Sequence, residues 1–78
     1  MKYSLITVIN GNFKIEAEFV SNLKGAIVSF HQKSASLWNV SEEEMPLTAV
    51  VQIVDDRLNV VNGYSETITL PIVEPVEG

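Results

Sequence analysis

The sequence predicts an α+β fold: a two-layer domain, one amphipathic helix packed on a mostly antiparallel sheet, in the order β-β-α-β-β-β. Three observations lead there. Residues 13–19 alternate apolar and polar with period two, the pattern of a half-buried strand. From Ser21 to Trp38 the apolar spacing changes to three and four, the pattern of a helix with one buried face. Asn-Gly occurs twice, at 10–11 and 62–63, each time between β-prone runs. That dipeptide suits tight hairpins because both turn positions need positive φ.

Taken in order, residues 2–9 (KYSLITVI) are rich in β-branched and aromatic side chains and read as the first strand. A two-residue turn at Asn10-Gly11 would then set Val8 opposite Phe13 and Ile6 opposite Ile15, and a three-residue loop would shift the first strand by one. In the second strand Phe13, Ile15, Ala17 and Phe19 share one face, and Lys14, Glu16 and Glu18 the other. Ser21 offers a hydroxyl N-cap. Behind it Leu23, Ala26, Ile27, Phe30, Ser34, Leu37 and Trp38 form one stripe at 100° per residue, over about 17 residues and roughly 25 Å. Gly25 costs this helix ~1 kcal/mol relative to Ala, and Val28 lies off the stripe.

Asn39 to Pro46 is a linker. Ser41 and Glu44 stand at capping-box spacing, so a single turn can form before Met45-Pro46 ends it. Residues 47–54 (LTAVVQIV) are apolar on both faces, which predicts a strand covered on both sides. Asp55-Asp56 is a turn, residues 57–61 a short strand, and Asn62-Gly63 a second hairpin. Residues 64–72 form the last strand, which Pro71 restricts to an edge or ends. Residues 1–73 thus make a single domain, and 74–78 a tail expected to fray.

Composition narrows the chemistry. Without cysteine among 78 residues there is no disulfide framework, thiolate metal site or cysteine nucleophile. With one histidine, His31, a zinc enzyme is not expected. No cofactor or metal is expected. No apolar run reaches the ~20 residues of a membrane span. The opening run reads as a strand, not a signal peptide, so a cytoplasmic location is expected. Ten acidic and five basic residues leave a net charge of −5. Lys2, Lys14, Lys24, Lys33 and Arg57 are scattered singly, whereas phosphate-driven binding needs a basic face.

Each candidate residue has an ordinary reading beside a functional one. His31 lies on the flank of the stripe without a sequence-visible catalytic partner, and reads as a structural or surface residue. Asp55-Asp56 has the paired carboxylates of a cation site, but Asp is also a standard turn residue. Glu42, Glu43 and Glu44 make either an acidic docking patch or a solvated first turn at the positive end of a helix dipole. Trp38 reads as core, with an interface anchor as its alternative. Tyr3, Leu5 and Ile9 on the far face of the first strand, and alternate residues of 47–54, lie beyond the reach of one helix and are assigned to an interface.

Two stretches carry a family resemblance: MKYSLITVINGNFKIEAEF with the following KGAIVSFHQKSASLWN, and VVNGYSETITLP. Together they are similar to small proteins of the lambdoid prophages of enteric bacteria. The resemblance implies a bacterial cytoplasm and an accessory role, and brings no catalytic residues. The expectation is therefore a non-enzymatic protein that binds another protein, or itself as a homodimer packed face to face. The alternatives are a nucleic-acid-binding module built on Lys2, Lys14, Lys24 and Lys33, or an acidic inhibitor of a host nucleic-acid-binding protein.

Overall fold

A computed structural model describes residues 1–72. The elements are β1 (Lys2–Ile9), β2 (Asn12–Val20), α1 (Leu23–Trp38), a 3-10 turn (Glu42–Glu44), β3 (Leu47–Val54) and β4 (Val60–Leu70). The strands form one sheet in the order β2-β1-β3-β4, with every neighbouring pair antiparallel. Since β2 and β3 both run antiparallel to β1, they run parallel to each other, and α1 crosses one face of the sheet to join them. The predicted α+β class holds. The predicted tail lies outside the described residues.

The first hairpin forms as its turn chemistry requires. Asn10 and Gly11 have φ of 51° and 83°, and Val8 pairs with Phe13 and Ile6 with Ile15. Asn10 does more than turn the chain. Its Oδ1 accepts from the Thr48 N–H at 3.0 Å, and its own N–H donates to the Thr48 carbonyl at 2.7 Å. The tip of the first hairpin is thereby tied to the start of β3.

The even alternation of β2 breaks at Glu16. Ile6 pairs with Ile15 but Leu5 pairs with Ala17, leaving Glu16 as the extra residue of a β-bulge. Beyond the bulge the side chains change face. Ala17 and Phe19 stand opposite Leu5 and Tyr3 on the helix side, while Phe13 and Ile15 stand opposite Val8 and Ile6 on the other. This corrects the single apolar face predicted for β2. It also corrects the assignment of Tyr3, Leu5 and Ile9 to a far face. Leu5 is 3% exposed in the core, and Tyr3 and Ile9 pack against that core. The cause is at Glu16: its carboxylate accepts a 3.1 Å hydrogen bond from the hydroxyl of Thr7, which is 0% exposed. A buried hydroxyl needs a partner, and the bulge brings one over it.

The helix runs 16 residues. Its N-cap is Asn22, not Ser21. The Asn22 Oδ1 accepts from the Gly25 N–H at 3.0 Å, while Ser21 turns left-handed at φ 49°. Ala26, Phe30, Ser34 and Leu37 are buried, with Leu23 and Ile27 packed beside them. They close over Leu5, Leu47, Ala49, Val51, Ile53, Ile68 and Leu70. Val28 is exposed, as its place off the stripe requires.

Two predicted strands, 57–61 and 64–72, are one strand here, so the sheet has four strands and not five. The turn falls earlier. Asp55 Oδ1 accepts from the N–H groups of Arg57 and Asn59 at 2.8 and 3.0 Å, and Asp55 N–H donates to the Asn59 carbonyl at 3.0 Å. Once this loop has reversed the chain, pairing begins at Val54 with Val60. Asn62 and Gly63 keep their positive φ, 47° and 73°, but inside β4. There Val61 to Tyr64 lie opposite the single residue Ile53, as an enlarged bulge. A local hairpin would have left Ile68 and Leu70 without β3; in the long strand they are 0% and 4% exposed.

Candidate functional site

The helix covers one side of the sheet, and the other side is open. Cross-strand partners share a face, so the register defines the open side. One row runs Phe13, Val8, Val50, Thr67 across the four strands, and the next runs Ile15, Ile6, Gln52, Ser65. None of these residues belongs to the core under the helix or packs against it. Phe13 is 61% exposed and Ile15 50%. Ile6, Val8 and Val50 are half-buried by their neighbours within the sheet. The result is a contiguous apolar cluster over β2, β1 and β3, flanked by the hydroxyl and amide side chains of Gln52, Ser65 and Thr67. Gln52 Nε2 donates to Ser65 Oγ at 3.1 Å within that polar border.

This arrangement corrects the expectation that residues 47–54 are covered on both sides. Leu47, Ala49, Val51 and Ile53 are buried beneath α1, whereas on the other side Val50 and Gln52 are half-buried, Thr48 is exposed, and only Val54 at the strand's end is buried. The double-sided apolar pattern of this strand is the signal of the open face, and alternate residues of 47–54 do lie on it. Tyr3, Leu5 and Ile9 lie on the helix side instead, where the bulge at Glu16 sets Ala17 and Phe19 opposite Leu5 and Tyr3.

The other candidate residues do not converge. Trp38, at the last position of α1, is 39% exposed and lies outside the core, which corrects its reading as a core residue. Glu42, Glu43 and Glu44 are exposed on the 3-10 turn, and Ser41 makes no side-chain cap there. Asp55 is spent on its loop. His31 is exposed, edge-to-face with Phe30 at 5.3 Å and Tyr64 at 6.5 Å. Among the described residues no carboxylate lies within ion-pair distance of it.

Two of the four lysines considered for nucleic-acid binding do meet, but on a carboxylate. Lys33 Nζ lies 3.6 Å and Lys14 Nζ 3.8 Å from Glu16, which half-buries its own charge between them. Lys2 pairs with Glu18 at 2.9 Å. Three of the five basic side chains thus share two carboxylates, Glu16 and Glu18.

Among the described residues there is no pocket, no cluster of three or more metal-ligating side chains, and no helix long and apolar enough to cross a membrane. Comparison with known protein families, curated proteins and solved structures finds no match to this chain.

Proposed function

We propose that the chain is a protein-interaction domain that docks through the open face of its sheet. The observation that supports this reading is the exposed pair Phe13 and Ile15, set beside Ile6, Val8 and Val50 in one apolar cluster. Single exposed apolar side chains are ordinary on a protein surface; contiguous clusters mark contact sites. The side chains here are β-branched or aromatic and held on strands, so little rotamer entropy is lost when they are covered. The reading is non-enzymatic, since its working surface is an apolar contact and asks for no reacting group.

A photo-crosslinking amino acid placed at position 13 tests it in the cells that produce the protein. The same probe at Val28 is the control, an apolar position on the helix that is also exposed, at 47%. Protein adducts are expected from position 13 and not from position 28. Equal yields from both positions, or none from position 13, would overturn the reading.

A further inference from the structure

We infer that the occupant of the open face is a second copy of the same chain, packed sheet against sheet about a twofold axis. The inference rests on the docking reading above and adds the partner. Charge supplies its first argument. The chain carries −5 overall, so two copies repel unless their contact surfaces are neutral. Of the strand residues on the open face only Lys2 and Glu18 are charged. They sit at one end of it, paired with each other at 2.9 Å. Among the described residues the unbalanced acids lie elsewhere: Glu42, Glu43 and Glu44 on the 3-10 turn, Asp55 and Asp56 in the loop, Glu66 on the helix side opposite Val51. A basic partner would find nothing to recognise on this face, whereas an identical neutral face is complementary to it.

The sheet edges supply the second argument. A second copy could also pair strand to strand, but each edge strand is broken by a bulge, β2 at Glu16 and β4 at Val61 to Tyr64. Bulges of this kind blunt edge pairing. The open face is the uninterrupted surface that is left.

Area supplies the third. Four strands at ~4.8 Å spacing and eight residues at ~3.3 Å rise give a face of roughly 500 Å² per copy. Two such faces bury roughly 1,000 Å², the lower bound for a specific interface. The dimer is therefore expected to be weak, at the low end of specific interface size. Its sheets stack ~10 Å apart with strands inclined by ~30°, giving the layer order helix, sheet, sheet, helix. An isologous contact lays the cluster of one copy on the same cluster of the other.

Sedimentation equilibrium of the purified chain from about 5 µM to 1 mM tests this directly, in 50 and 500 mM NaCl. The mass is expected to climb from 8.6 kDa toward twice that value, with no weakening at the higher salt, since no intermolecular ion pair holds the contact. Ile15→Lys should raise the dissociation constant at least tenfold. Phe13→Ser is the second variant, should Ile15→Lys fail to fold by circular dichroism. A mass of 8.6 kDa at every concentration overturns the second copy as occupant. So does a dimer that both folded variants leave unchanged, or one that dissociates in 500 mM NaCl. Failure here is distinguishable from failure of the docking reading: a monomeric chain that still crosslinks from position 13 to a foreign protein keeps the docking face and loses the self-association.

Discussion

Small local choices decide how α1 begins. A Cβ built on Gly25 would lie 2.4 Å from Asn22 Nδ2 and 3.1 Å from Asn22 Oδ1, the atom that caps the helix. Glycine is therefore tolerated inside the first turn because it leaves room for the cap. In an open helix Gly→Ala gains ~1 kcal/mol, and losing an Asn cap costs ~1 kcal/mol. The two nearly cancel, so Gly25→Ala should change stability by less than about 0.5 kcal/mol in urea unfolding. In an Asn22→Ala background the same substitution should stabilise by ~1 kcal/mol, because no cap is left to displace. Equal effects in the two backgrounds would show that the cap and Gly25 are independent. At the same scale Glu16 does the work of a tether. One carboxylate takes the buried Thr7 hydroxyl and stands between Lys14 and Lys33, linking β2 to α1 where the apolar core ends.

At the scale of elements, α1 is seated by Phe30. Its ring is buried midway along the stripe and meets Tyr64 of β4 edge-to-face at 5.8 Å. Phe30→Ala removes a large buried aromatic from the contact between helix and sheet, and should cost about 3–5 kcal/mol. Urea unfolding reads it, and a loss under ~1 kcal/mol would mean that α1 is not held through this face. The amphipathic stripe that implicates Phe30 is legible from spacing alone. The bulge at Glu16 is not, because a single inserted residue leaves the letters alternating while it reverses which face they occupy. Asn62-Gly63 was legible as a pair of positive-φ positions but not as a bulge. Those angles serve either a hairpin or a bulge, and the choice falls to whichever pairing buries Ile68 and Leu70.

For the whole molecule, folding and self-association are linked. A dimer that forms only between folded chains stabilises them by mass action. The urea midpoint should therefore rise between 5 and 500 µM chain. It should be flat for Ile15→Lys, whose side chain lies outside the core and is not needed for the fold. A midpoint independent of concentration in the unaltered chain would count against the dimer. The face on which this depends is half legible in the sequence. The pairs Ile6–Ile15 and Val8–Phe13 follow from the turn, but β1 is apolar on both sides, so its sequence alone does not say which side the helix takes.

What the sequence by itself determined is local: the first hairpin, the helical stripe, the loop at Asp55, and the α+β class that follows from them. Each rests on interactions a few residues apart, such as left-handed φ at Asn10 and Gly11 or the three-and-four spacing of α1, and these are written in residue order. The tertiary structure alone decided which face of the sheet is covered, where the chain bulges, and that four strands form instead of five. Those outcomes depend on burial that residue order does not spell out: Glu16 accepting from the Thr7 hydroxyl, and β3 drawing eleven residues of β4 into one strand. Burial of a hydroxyl with its acceptor, and of Ile68 and Leu70 beneath α1, outweighs the local preference for even alternation and for a second tight turn.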